Sequence, residues 1–185
     1  MRRSVNDAGS KNAAARDKRG EALGALPEWD LTALYAGMDA PALADDLYRG
    51  ETEALAFEAA YKGRLEEIAR GAGAAAGLAE AVTRFEALED LLGRLASYAG
   101  LVYAGDTTDP ARAKFYGDIQ EKITATSSHL LFFTLELNRI DDGLIDQAVA
   151  QAPLARYRPW LEDIRKDKPF QLDDRIEKLF HEKNM

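Results

Sequence analysis

A chain of 185 residues with 46% hydrophobic side chains, no cysteine and a formal charge of −8 suits one compact domain with a real core, and it is too apolar for wholesale disorder. The acidic balance repels nucleic-acid phosphates. The missing cysteines exclude disulfides, thiolate nucleophiles and zinc–sulfur sites, and no apolar run reaches the ~18 residues that suggest a membrane span. The expectation is a soluble, cytoplasmic protein whose partners include neither nucleic acid nor membrane.

Residues 1–25 read as a disordered basic tail. Arg2, Arg3, Lys11, Arg16, Lys18 and Arg19 stand against only Asp7 and Asp17, among Gly, Ser, Asn and Ala. No hydrophobic stretch follows them, so a secretory signal is not expected. Ordered chain should begin at Leu26-Pro27-Glu28-Trp29-Asp30-Leu31. Trp29, Leu31, Leu34 and Tyr35 would pin a short irregular segment onto the body.

The first helix is expected from about Pro41 to Arg70. Asp39 is the candidate cap and Pro41 suits the first turn, where its missing N–H costs nothing. Leu43, Leu47, Ala54, Phe57, Tyr61, Leu65 and Ile68 form its stripe, weakened by Gly50 and Gly63. Gly71-Ala72-Gly73 ends it. The second helix is the cleaner signal: Leu78, Ala81, Phe85, Leu88, Leu92, Leu95, Ala99 and Val102 recur at spacings of three and four. Asp109 and Pro110 supply the next cap and first turn. A third helix should then run from Pro110 to about Ile140, through Tyr116, Ile119, Ile123, Thr126, Leu130, Phe133 and Leu137.

Short connections make the second and third helices an antiparallel hairpin, each about 40 Å long. Shorter pieces follow. Asp141 or Asp142 caps a helix through Val149, and Pro153 breaks it. Leu154 to Lys166 is another, with Tyr157, Trp160, Leu161 and Ile164 inward. Pro169 interrupts, and a last amphipathic helix carries Leu172, Ile176, Leu179 and Phe180. That pattern is unbroken where the sequence stops, which reads as a cut surface prone to self-association. No segment alternates like a strand. The expected fold is all-α: a long helical hairpin, an additional packed helix and shorter carboxy-terminal helices.

Candidate sites are sparse. His129 lacks an evident ligand partner and reads as structural. His181-Glu182-Lys183-Asn184-Met185 begins like a zincin helix, but that chemistry needs histidines at i and i+4 on one helix face, and Met185 holds the second place. The acidic pairs Glu66-Glu67, Glu89-Asp90, Asp141-Asp142, Glu162-Asp163 and Asp173-Asp174 are neighbours that diverge on a helix, so they read as solvated faces. Gly71-Ala72-Gly73 has no strand before it and no Lys-Ser after it, so it is a linker rather than a phosphate loop. Ser127-Ser128 beside His129 make no ordered triad. Arg156, Arg158, Arg165, Lys166 and Lys168 read as helix anchors paired to nearby acids, with an internal docking surface as the alternative. No catalytic, cofactor-binding or metal-ligating residue is assigned.

Several stretches resemble the oligoendopeptidase F family of zinc peptidases. They are Leu26 to Leu31, Phe57-Glu58-Ala59-Ala60-Tyr61-Lys62-Gly63, Tyr98 to Pro110, Phe132 to Asn138, Leu154 to Leu161, and Lys178-Leu179-Phe180-His181-Glu182-Lys183. The resemblance implies that residues 26–185 are the amino-terminal helical lobe of an oligopeptidase, truncated before the catalytic domain. Such a lobe walls a cleft that admits short peptides. It also implies a missing carboxy-terminal catalytic domain as partner, and zinc as the parent's cofactor but not this chain's, because no H-E-x-x-H helix is present. The alternative is a stand-alone helical protein-interaction module.

Overall fold

Apolar residues at three- and four-residue spacing become helix throughout residues 29–183, which the computed structural model describes, and no strand occurs among them. The expected basic tail, and Leu26 to Glu28, lie outside the described residues. The described helices all fall within one unit, residues 31–185.

Tyr35 anchors the segment before the first helix. It is buried edge-on against Tyr98, with ring centroids 5.1 Å apart, and its hydroxyl donates to Asp46 Oδ2 at 2.8 Å. Arg94 reaches the same oxygen at 2.7 Å. Leu31 and Leu34 pack partly on the core, whereas Trp29 is exposed.

Helix α1 (Pro41–Tyr61) starts on Pro41, as the sequence suggests, but its N-cap is Ala40 and no side chain caps it. Asp39 is therefore not the cap; its carboxylate lies beside Gly37 instead. The expected single helix from Pro41 to Arg70 is two. Lys62 is extended and Gly63 takes a left-handed φ of 75°, which an L side chain disfavours, so the ladder stops and restarts as α2 (Leu65–Arg70). A distant residue holds the break: Glu136 Oε1 accepts the Gly63 N–H at 2.7 Å.

Helix α3 (Ala74–Gly105, 32 residues) is the longest element, about 48 Å at 1.5 Å per residue. It buries Leu78, Ala81, Leu88, Leu92, Leu95 and Ala99 of the expected stripe, with Phe85 and Val102 partly covered. Helix α4 (Pro110–Ser128) starts where Asp109 accepts the Ala111 N–H at 2.7 Å. The two helices are antiparallel: Tyr103 stacks on Tyr116 at one end, while Leu92 and Ser127 share a groove toward the other.

The expected third helix also breaks, between Ser128 and Leu131, so α5 (Leu131–Arg139) is a separate element. The cause is local. Ser127 and Ser128 hydroxyls bond back to the Thr124 and Ala125 carbonyls at 3.2 and 2.8 Å, competing with the ladder. The backbone tightens to three-residue bonds, His129 N–H to Thr126 and Leu130 N–H to Ser127. Helix α4 is thus only 19 residues, shorter than expected.

Phe57 and Phe133 are wholly buried at the centre. Tyr61, Phe85 and Phe132 pack around Phe57, with ring centroids 4.8–6.1 Å away. Helix α6 (Asp142–Val149) is capped by Asp141, which accepts from the Gly143 and Leu144 N–H groups. The expected helix from Leu154 to Lys166 is instead a 3-10 turn (Leu154–Tyr157), α7 (Arg158–Ile164) and a second 3-10 stretch (Arg165–Phe170) that contains Pro169. Its inward side is as expected: Tyr157 and Leu161 are buried, Trp160 and Ile164 partly so.

Helix α8 (Asp174–Lys183) touches α4 and α5 and leaves its apolar side chains outward. Leu172, Ile176, Leu179 and Phe180 are 44–51% exposed, and Phe170 78%. Arg139 pairs with Asp174 through both guanidinium nitrogens and ties the helix start to α5.

Candidate functional site

His129 sits on the bend between α4 and α5, and the structure gives it a partner that the sequence does not mark. Its Nδ1 lies 2.5 Å from Glu58 Oε2 on α1, and the other Glu58 oxygen accepts from Lys62. Burial pushes the Glu58 carboxyl up, but the bonds from Lys62 and His129 outweigh it and hold the group below the usual glutamate range. No further ligand joins the pair. Among the described residues no group of three or more His, Cys, Asp or Glu could hold a metal ion.

His181 finds a partner too. Its Nε2 lies 3.0 Å from Ser127 Oγ, so Ser127 meets this histidine rather than its sequence neighbour His129. That distance suits a nucleophile and its base. Among the described residues nothing completes a hydrolytic site around the pair. The N–H groups after Ser127 are spent on Thr126 and Ser127 carbonyls, so they form no oxyanion hole. Among the described residues no second bond fixes the His181 ring.

Open grooves run along α4. One, about 440 Å³, lies toward α1 and is lined by Leu43, Leu47, Tyr48, Phe115, Ile119 and His129, among others. Another, about 340 Å³, lies between α3 and the α4–α5 bend, with the Ser127–His181 pair at its edge. Its lining is mostly apolar: Phe85, Leu92, Ile123, Leu130 and Leu131. Glu89 also faces it, its carboxyl pushed above the ordinary glutamate value by burial. Glu89 is itself exposed to solvent, so that push is partial.

The basic run resolves into helix clamps. Arg165 donates to the Leu137 and Ile140 carbonyls at 2.6 and 2.8 Å and pairs with Asp142. Lys168 reaches Asp142 at 2.9 Å, and Arg158 the Val149 carbonyl at 3.3 Å. Arg156 sits over the Tyr157 ring beside Glu86. The acidic pairs dissolve in the same way: Glu66 pairs with Arg70, Asp163 with Lys166 and Asp174 with Arg139. Gly71-Ala72-Gly73 is the linker between α2 and α3.

The part of the chain that carries α6 to α8 is the part with known relatives. Residues 136–185 match the amino-terminal M3 peptidase family described as Oligopeptidase F. No curated protein and no solved structure matches the chain. The match begins inside α5 and covers well under half of the chain. It takes in Leu154–Leu161 and Lys178–Lys183 of the resembling stretches and leaves Leu26–Leu31, Phe57–Gly63 and Tyr98–Pro110 outside. The carboxy-terminal stretch is thus similar to an M3 amino-terminal region, in a helical chain without the zinc-peptidase motif. Among the described residues no helix is long and apolar enough to cross a membrane.

Proposed function

We propose that this chain is the non-catalytic helical lobe of a zinc oligoendopeptidase and walls the cleft in which the parent enzyme hydrolyses short peptides. In this reading residues 1–25 are a basic tail and residues 26–185 the lobe, working in the cytoplasm beside a carboxy-terminal catalytic domain. The family match over residues 136–185 carries the reading. The exposed apolar face of α8 supports it, because that face lies inside the matched stretch and has no neighbour among the described residues.

Zinc held by the catalytic domain of such a parent would supply Lewis-acid chemistry at the peptide carbonyl, and no residue of this chain is assigned to hold it. This chain would contribute shape and peptide contacts, and no step of the chemistry. The test pairs the chain with the catalytic domain of an oligoendopeptidase of this family. We expect no stoichiometric zinc and no cleavage of a fluorogenic peptide by the chain alone, with cleavage enhanced in the mixture. Zinc-dependent cleavage by the pure chain would sink the proposal, as would a mixture no more active than the catalytic domain by itself.

The same exposed face favours a second reading, a stand-alone module that recruits a helical partner. The reading frame after Met185 separates the two: a downstream H-E-x-x-H segment rules out the module.

A further inference from the structure

The 340 Å³ groove between α3 and the α4–α5 bend has three features that its role as a wall does not require. The first is a glycine. Gly93 lines the groove in the middle of α3, where glycine weakens a helix. Gly77 and Gly50 have a packing reason: a side-chain carbon on Gly77 would sit 2.8 Å from Ile68, and one on Gly50 would meet Leu91 and Leu92 at 3.6 and 3.4 Å. A carbon on Gly93 would meet nothing within 4 Å, so the absent side chain leaves the groove open at that point. Gly117 is equally unhindered, but it lines neither groove.

The second feature is Glu89, one turn before Gly93 and on the same face of α3. Its carboxylate stands on the groove wall, exposed to solvent, and no cation or hydrogen-bond donor pairs with it among the described residues. The third is the remaining lining, with the apolar side chains of Phe85, Leu92, Ile123 and Leu130 around it. An apolar cleft of this size with one unpaired anion at its wall suits a small ligand with an apolar body and a positive head.

We propose that this groove binds a small amphipathic amine, its apolar body on Phe85, Leu92, Ile123 and Leu130 and its ammonium on the Glu89 carboxylate. An ammonium seated in the groove gives the unpaired Glu89 carboxylate an opposite charge at hydrogen-bonding range. A carboxylate ligand is repelled, and a neutral alcohol gains only the apolar contact. The head group is shared by free amines and by the amino end of a peptide whose first residue is apolar. The proposal does not depend on the lobe reading.

The test uses the full chain, labelled with nitrogen-15, and three probes of one shape: 2-phenylethylamine, 2-phenylethanol and 3-phenylpropanoate. The amine should shift the Gly93 and Thr134 amide signals saturably and bind about tenfold more tightly than the alcohol, with the acid weakest. Glu89→Gln should bring the amine down to the alcohol. Gly93→Leu, which fills the groove and favours helix, should abolish binding by all three while circular dichroism stays unchanged. If Gly93→Leu disturbs the fold, the Glu89→Gln comparison decides alone.

Phenylalanyl-glycinamide separates the two sources. Tighter binding than the free amine assigns the groove to peptide amino ends, and weaker binding to free amines. An amine that binds no better than the acid, or signals that still shift in a folded Gly93→Leu chain, would overturn the proposal.

Discussion

Glu58, Glu89 and Glu136 occupy three different surroundings, and the sign of each pH effect follows. Burial raises Glu58, but Lys62 and His129 more than compensate and leave it low. Burial raises Glu136, and the N–H groups of Gly63 and Leu65 offset only part of that. Glu89 has burial alone. A glutamate whose folded value is raised contributes its full stability below the unfolded value and loses it as pH rises through the folded one. Glu89→Gln should therefore stabilise the chain at neutral pH, and the gain should vanish below the ordinary glutamate range. Glu58→Gln should do the opposite, with a deficit at neutral pH that shrinks on acidification. Urea midpoints measured across that range check both; equal responses at every pH would refute the assignment.

Two glycines make a matched pair at the same scale. Neither Gly63 nor Gly93 has an atom within 4 Å of an added side-chain carbon, so only the backbone differs. Gly63 is left-handed and Gly93 is helical. Gly63→Ala should cost about 1–2 kcal/mol, and Gly93→Ala should gain about 0.5–1 kcal/mol. Chemical denaturation of the two variants with the same sign of change would contradict this account.

Among the elements, the sequence is informative where the cause is local. The stripe of α3, the Asp109 cap and the Asp141 cap all depend on neighbours a few residues away. The break at Gly63 is half legible: the glycine is in view, but Glu136, which holds the turn, lies on another helix. The bend after Ser128 had a signal in the run Thr124, Ser127 and Ser128, since back-bonding hydroxyls tighten or bend a helix. An apolar stripe that continued through it concealed that signal. The Glu58–His129 and Ser127–His181 pairs and the floor of the Gly93 groove join residues from separate helices, and no spacing in one helix announces them.

The basic run was legible as a set of anchors, though not which helix end each residue serves. Arg165 closes the carboxy end of α5, its side chain only 12% exposed. Arg165→Met should cost about 2 kcal/mol, because two buried carbonyls lose a charged donor. Arg70→Met, which removes an exposed pair with Glu66, should change nothing measurable. A thermal-melt comparison of the two variants is sufficient, and equal effects would show that the clamp contributes little.

For the whole molecule, the all-α hairpin was legible because most of its buried side chains repeat at helical spacing. The two fates open to α8, folding back or facing outward, were not separable by pattern. The structure leaves Phe170, Leu172, Ile176, Leu179 and Phe180 outward, a contiguous apolar strip of the kind that recruits a neighbour. At rising concentration the chain should self-associate, and Ile176→Glu with Leu179→Glu should reduce it. Sedimentation velocity reads both. A strictly monomeric parent chain that the double substitution leaves unchanged would remove α8 as a docking surface.

Helix α3 touches α1, α2, α4, α6 and the Leu154–Tyr157 turn, whereas α8 makes its main contacts with α4 and α5. Opening is therefore unequal along the chain. To bare the middle of α3 the molecule must come apart everywhere, so those amides trade hydrogen for deuterium only when the whole fold opens. To free α8 it need release only the Arg139–Asp174 pair, the Ser127–His181 bond and a thin apolar seam, so among the described helices that one exchanges first. Among the described residues, a protease offered the native chain would cut first in the short link between Phe170 and Asp174 and release α8.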